Sequence, residues 1–306
     1  MTRTVGFIGL GYMGEGMAGN ILAKGPALGY GLAVMANRRR GAVDRLVAAG
    51  AREVSTAAEM ARISDVIFLC VTGSPEVEAL IEGENGILAG ARPGLLVIDC
   101  TTARPDSTMR LASVLAACGL ALIDAPLGGT PAGAKAGTLQ ALVGAGEEEF
   151  ARAEPLIACW ASTIVRVGGV GAGHTMKLIN NFLALGYAAL YSEALALGDK
   201  VGITPETFHA VIGQGRLRSG FYDTFMGYVL TRDEDAHRFT IANAAKDLRY
   251  LAALADSAGL ANPLGSAVKN SFVAFEAAGG ADRYVPMLAD FVADVNGVTR
   301  PSGLRI

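Results

Sequence analysis

The order of apolar runs predicts an α/β protein in which a doubly wound, mostly parallel sheet occupies the first half and an all-helical unit the second. Three observations carry that expectation. Short aliphatic runs recur at residues 4–8, 32–36, 65–70, 95–99 and 120–124, with helical patterns between them. A glycine-rich segment, Gly168-Gly169-Val170-Gly171-Ala172-Gly173, interrupts the alternation. Beyond it the pattern turns helical, beginning with a proline-free stretch over residues 174–201.

Each of the first five runs has the length of a buried strand, and the opening one, from Val5 to Ile8, ends directly on a glycine. Two more strand-like runs, 139–143 and 163–167, flank a helical stretch containing Phe150 and Leu156, so the sheet is expected to continue to about Val167. The boundary is placed after Gly168, giving a dinucleotide-binding domain over 1–168 and a helical substrate and oligomerisation domain over 169–306. Pro205, Asn262-Pro263 and Pro286 punctuate the later helices up to Val295, and residues 300–306 read as a frayed tail.

Charge and composition narrow the partners. The net charge is -3 and the longest basic run is Arg38-Arg39-Arg40, which gives neither a nucleic-acid nor a membrane footprint, so a small molecule is expected. Hydrophobic residues reach 51%, yet Ala and Gly dominate and no apolar stretch approaches the roughly 20 residues of a spanning helix. The N-terminus shows no basic leader with an apolar core and cleavage site, so a soluble, cytoplasmic protein is expected. Cys70, Cys100, Cys118 and Cys159 stand apart in apolar surroundings, which suits buried thiols in a reducing compartment. No metal is expected, because neither the cysteines nor His174, His209 and His237 approach ligand spacing and no carboxylate-rich cluster joins the histidines. Each histidine reads as a surface or packing residue.

The first strand runs into Gly9-Leu10-Gly11-Tyr12-Met13-Gly14, a G-x-G-x-x-G match between a strand and a helix. The first glycine permits the tight turn, the second lets backbone approach a pyrophosphate, and the third packs the helix so that its N-terminus faces the negative charge. The alternative is a glycine-rich structural turn; the strand, helix and continuing sheet favour a Rossmann-type dinucleotide site with Gly9, Gly11, Tyr12, Met13 and Gly14 at its centre. At the end of the second strand, where a carboxylate accepts the ribose hydroxyls of NAD, this chain has Asn37 followed by Arg38, Arg39 and Arg40. A guanidinium there binds a 2'-phosphate, so NADP is expected ahead of NAD, with Arg38 as the first choice for the contact. One or two of these arginines also fit an ordinary solvated helix start.

Hydride transfer to a carbonyl creates an alkoxide that needs a proton. Lys177 lies one turn inside the first long helix after the glycine-rich segment, with Asn180 and Asn181 at i+3 and i+4 on the same face. A lysine near a helix start is commonly just solvated; an Asn pair in an otherwise apolar helix argues for a site.

The ordered motifs resemble those of the β-hydroxyacid dehydrogenases, the family of 3-hydroxyisobutyrate dehydrogenase and tartronate semialdehyde reductase. They are the glycine motif with Met17-Ala18 and Asn20, Asp99-Cys100-Thr101-Thr102, Asp124-Ala125-Pro126 leading to Gly137-Thr138-Leu139, Gly173-His174-Thr175-Met176-Lys177 with Asn181, and Lys246-Asp247-Leu248. The resemblance implies a small hydroxy acid or its aldehyde as substrate, Lys177 as proton donor and acceptor, and Asn181 positioning the substrate or the lysine. It implies that Thr102 sits beside the nicotinamide, that Val71 and Thr72 line the cofactor groove, and that Lys246 and Asp247 help close the cleft; by their own pattern these last two read as surface charges. It further implies a homodimer or homotetramer built through the helical domain.

One departure concerns the substrate's acid group. Where the family has Pro-Val-Ser-Gly-Gly, this chain has Pro126-Leu127-Gly128-Gly129-Thr130, so a serine hydroxyl is missing. The pattern is closer to the sulfolactaldehyde reductase branch, with Gly129 in place of an arginine. Gly128, Gly129 and Thr130 are expected to hold the acid group together with a cation from the second domain, Arg216 or Arg218. An imine reductase and a non-catalytic nucleotide-binding relative are the competing readings, and Lys177 argues against both.

Overall fold

A computed structural model describes residues 3–36 and 40–298; Asn37, Arg38, Arg39 and the tail 300–306 lie outside the described residues. Contacts divide the chain into two compact units, Met1–Lys177 and Leu178–Ile306.

In the first unit nine strands form one sheet among the described residues: β1 (Arg3–Ile8), β2 (Tyr30–Met35), β3 (Arg52–Val54), β4 (Val66–Leu69), β5 (Leu96–Asp99), β6 (Ala121–Asp124), β7 (Leu127–Gly128), β8 (Leu139–Gly144) and β9 (Ala161–Gly168). The helices between them are α1 (Gly14–Lys24), α2 (Gly41–Ala48), α3 (Ala57–Ile63), α4 (Ser74–Glu82), α5 (Ile87–Gly90), α6 (Pro105–Ala117), α7 (Pro131–Ala136) and α8 (Glu147–Ile157). The order β3-β2-β1-β4-β5-β6 is parallel throughout and reverses direction between β1 and β4, the place where doubly wound sheets bind ligands. β8 joins β6 antiparallel, with β7 antiparallel and β9 parallel to it.

The central strands are buried on both faces, as parallel strands between helix layers must be. Their period of two splits the side chains between two cores: Val5, Phe7, Phe68 and Ile98 enter one with Trp160, and Ile8, Ile67, Leu69 and Val97 the other. Phe68 stacks on Phe7 at 5.9 Å and meets Trp160 edge-on at 6.4 Å. Every expected strand is present. β3 and β7 were not expected, because three residues in one and two in the other are too short to show a period. The glycine-rich segment does begin where β9 ends, at Gly168, but the compact unit continues to Lys177.

The second unit holds most of α9 (Ala172–Lys200), then α10 (Pro205–Ile212), α11 (Gly220–Thr231), α12 (Ile241–Ser257), α13 (Pro263–Phe275) and α14 (Leu288–Val295). Thr204, Ser219, Thr240 and Asn262 cap four of these helices by accepting the N–H three residues on, and proline opens α10 and α13. Tyr222, Phe225, Phe272, Ile241 and Leu248 centre the core. His209 stacks on Tyr222 and His237 packs edge-on to Phe221, so both are packing residues. No helix among the described residues is long and apolar enough to cross a membrane.

One buried tie closes this unit. Asp290, 1% exposed, accepts from Tyr228 Oη at 2.6 Å and from Arg232 Nη1 at 2.9 Å. Asp290→Ala strands both donors and should lower unfolding free energy by about 2–3 kcal/mol, read from urea titration. Asp223→Ala, at an exposed pair with Arg218, should leave it near wild type; equal losses in the two variants would show that burial of the Asp290 tie is not what matters.

Candidate active site

Parallel register sets the site. Ile8 pairs with Leu69, Leu69 with Asp99 and Asp99 with Asp124, so β1, β4, β5 and β6 end in line and release their chains at one carboxyl edge.

At β1 the exit is the glycine turn. Gly9 has φ +103, and a Cβ on it would strike the Cys70 carbonyl; a Cβ on Gly14 would strike the Gly9 carbonyl. A Cβ on Gly11 meets nothing within 4 Å, so the backbone there is open to an incoming group. No side chain caps the N-terminus of α1 at Met13, which leaves its positive end to an anion. A dinucleotide's pyrophosphate fits both features. Asn20, farther along α1, bonds the Ala134 and Lys135 carbonyls at 2.9 and 3.0 Å, fixing α1 to α7.

At β2 the residues meant to read the ribose, Asn37, Arg38 and Arg39, lie outside the described residues. Arg40 is described, and its guanidinium is bonded to Glu53 at 2.9 and 3.0 Å and to Asp44 at 3.0 Å. These acids describe a structural arginine.

At β4 and β5 a relay of short bonds shapes the edge. Asp99 Oδ1 accepts from Thr101 N at 2.9 Å, and Thr101 Oγ1 accepts from Val71 N at 3.1 Å. Val71 and Thr102 are half-buried and Thr72 is exposed. Burial raises the Asp99 carboxyl above the usual range, against the pull of the His174 ring and the Thr101 bonds. The same burial pushes the Cys70 thiol up to about 12 and the Cys100 thiol well above its usual value, so both stay protonated and are no nucleophiles. Two expectations about the cysteines change here: Cys70 and Cys100 follow the paired ends of neighbouring strands, and Cys118 is exposed where α6 ends.

At β6 the edge receives α9. Asp124 is fully buried; its Oδ1 accepts from Gly171 N at 2.6 Å and its Oδ2 from His174 N at 2.7 Å. A carboxylate thus stands where the helix leaves N–H groups unpaired. The approach is close enough that a Cβ on Gly173 would lie 2.8 Å from Asp124 Oδ2 and 3.0 Å from Gly144 N. This contact is why the first unit extends into α9. Lys177, half-buried, comes in the next turn.

His174 departs from expectation. It is fully buried with Nδ1 2.7 Å from Thr108 Oγ1, Nε2 3.9 Å from Asp99 and Nδ1 3.9 Å from Asp124. Two carboxylates join it after all. The overlooked signal was an aspartate as the last residue of two apolar strands.

The loop expected to hold the acid group is more constrained than its composition suggests. Gly128 lies in β7 opposite Gln140, and Gly129 has φ +126 with a built Cβ 2.7 Å from Leu139 Cδ2, so backbone geometry as well as free space calls for glycine. Thr130 caps α7 by accepting from Gly133 N at 3.2 Å, a bond that leaves its hydroxyl hydrogen to donate.

In the second unit Asn181 is buried and donates Nδ2 to Asp247 Oδ2 at 2.7 Å. Asp247, 3% exposed, has Oδ1 3.0 Å from Lys246 Nζ, which lies 5.0 Å above the Tyr250 ring. The reading of Lys246 and Asp247 as surface charges is therefore corrected: α12 turns Asp247 inward onto the asparagine. Arg216 and Arg218 are exposed, and Arg218 Nε is bonded to Asp223 at 2.8 Å.

Residues 4–169 match the family model described as the NAD binding domain of 6-phosphogluconate dehydrogenase, and residues 171–289 the one described as NAD-binding of NADP-dependent 3-hydroxyisobutyrate dehydrogenase. The chain is 35% identical to a 2-(hydroxymethyl)glutarate dehydrogenase of Eubacterium barkeri, over 80% of this chain and 79% of that protein. It is 34% identical to a 3-hydroxyisobutyrate dehydrogenase of Pseudomonas aeruginosa, over 88% and 90%. A crystal structure of 3-hydroxyisobutyrate dehydrogenase from Salmonella typhimurium superposes with a TM-score of 0.83 at 27% identity, covering 94% of this chain and 99% of that one. The chain belongs to the β-hydroxyacid dehydrogenase family, nicotinamide-dependent oxidoreductases that act on CH–OH donors.

Proposed function

We propose that this enzyme transfers a hydride between NADP(H) and a small β-hydroxy acid or its semialdehyde, with Lys177 as general acid and base. One observation carries the reading: the glycine turn after Ile8 and the first turn of α9 on Asp124 occupy the same carboxyl edge of the sheet, aligned by register. The backbone of Gly9, Gly11, Tyr12, Met13 and Gly14 would hold the pyrophosphate, with Val71, Thr72 and Thr102 along the groove. When bound, the nicotinamide supplies or takes the hydride. Lys177 Nζ gives a proton to the carbonyl oxygen as it gains charge, and in the oxidising direction the neutral amine removes the hydroxyl proton. Asp247 accepts from Asn181 Nδ2 and so holds that amide in one orientation for the substrate.

NADP over NAD rests on Asn37 and Arg38, with Arg39 second and Arg40 already held by Glu53 and Asp44. The acid group of the substrate is assigned to Gly128, Gly129 and the Thr130 hydroxyl; Arg218 joins them only if it leaves Asp223. The buried Cys100 and Cys159 suit a reducing compartment, the cytoplasm. A homodimer or homotetramer is supported by α9, where Ile179, Leu183, Tyr187, Leu190 and Leu197 are all exposed at helical spacing, an apolar stripe of the kind that partners cover.

Lys177→Ala should bind NADP(H) as wild type does but turn over about a hundred to ten thousand times more slowly, and Lys177→Arg should not restore it, since guanidinium does not lose its proton. Near-normal turnover in Lys177→Ala refutes the lysine assignment. In competition assays Arg38→Ala should erase about ten-fold to a hundred-fold of the NADP preference, while a wild-type preference for NAD contradicts that reading. Leu190→Glu, which puts a charge in the stripe, should shift sedimentation toward the monomer; an unchanged assembly places the interface elsewhere.

A further inference from the structure

A buried cluster at the carboxyl edge has no part in the reaction as described so far. His174 is fully buried, and the groups facing it come from three elements: Asp99 from β5, Asp124 from β6 and Thr108 from α6. Lys177 follows one turn on along α9.

Donor arithmetic places the hydrogens. Thr108 Oγ1 lies 2.7 Å from Nδ1 and 3.0 Å from the Arg104 carbonyl, which already accepts from Thr108 N, so the hydroxyl can give its hydrogen to Nδ1 and leave the ring's own hydrogen to Nε2. Nε2 is sealed from solvent and has no hydrogen-bond partner, and it faces Asp99 Oδ2 at 3.9 Å. A bare lone pair there would leave a nitrogen and a carboxylate opposed in a dry site, uncompensated. A hydrogen on Nε2 makes the same contact an attraction. Asp124, with both oxygens on the backbone of α9, and Asp99, with one oxygen on Thr101, are two buried acids around one ring.

We propose that His174 is a positioning residue whose Nε2–H faces Asp99 and whose ring, held between Asp99 and Asp124, fixes the first turn of α9 and thereby the place of Lys177. The inference rests on the lysine reading above. Its reach is wider than one helix: through Asp99, Thr101 and Val71 N, the same ring steadies the chain leaving β4 and β5. Loss of that N–H would therefore act on turnover through geometry, with no group removed from the substrate or the cofactor.

The direct test is the nitrogen-15 spectrum of labelled imidazoles in the unaltered protein. The chain has only three histidines, so His209→Gln and His237→Gln assign the remaining signals. Hydrogen on Nε2 of His174 is the expected result, and a bare Nε2 overturns the proposal without any demand that a His174 variant fold. Substitution then separates positioning from packing. His174→Gln places an N–H near the position of Nε2, whereas His174→Asn reaches only that of Nδ1. The Gln variant should keep kcat within about five-fold, while Asn and Leu variants lose about thirty-fold or more with NADP(H) affinity within about three-fold. If Gln and Asn variants lose turnover equally, in step with their melting temperatures, His174 only packs and the proposal falls. Wild-type turnover in Lys177→Ala would refute the lysine reading yet leave the imidazole spectrum as expected, so the two failures are distinguishable.

Discussion

The capture of the α9 N-terminus by Asp124 is the contact on which the functional geometry depends. A helix start carries unpaired N–H groups and partial positive charge, and a buried carboxylate is costly unless such donors meet it. Here each answers the other: Asp124 accepts from Gly171 and His174, and the glycines at 144 and 173 allow the approach. The last strand of the parallel series thereby sets where the lysine helix begins. A bulkier residue at either glycine would push the helix outward and carry Lys177 with it.

The two ends of that edge follow different physical rules. At β1 the chain is stripped of side chains so that backbone and helix dipole face an anion. At β5 and β6 it carries buried acids that bind backbone and histidine instead of ligand. An open glycine end at β1 and a tied end at β5 and β6 give residues alike in burial different surroundings. Asp124 orients the start of α9.

Much of this was legible from the residues alone. Long apolar strands announce themselves by run length, and glycine spacing after β1 has a backbone cause that sequence displays. Short strands such as β7 carry no period, and pairing with β8 decides them. Asp247 looked like a surface charge because a charged pair on a helix is usually solvated; only tertiary packing brings it to Asn181. His174 was misread for a related reason, since Asp99 and Asp124 are far from it in sequence and reach it only through parallel register. Gly129 was read only as part of the loop that holds the acid group, whereas its φ of +126 reveals a turn that itself needs glycine. Local conformations were readable, and long-range polar partners were not.

The proposed chemistry requires an amine at position 177 acting as the proton carrier. Chemical rescue measures that function with the helix and its anchors left in place. Small primary amines added to Lys177→Ala should restore turnover with NADP(H), in proportion to their concentration and increasingly with their basicity, with cofactor affinity unchanged. No restoration by any amine small enough to enter the vacated space, in a variant that binds cofactor normally, would contradict the account.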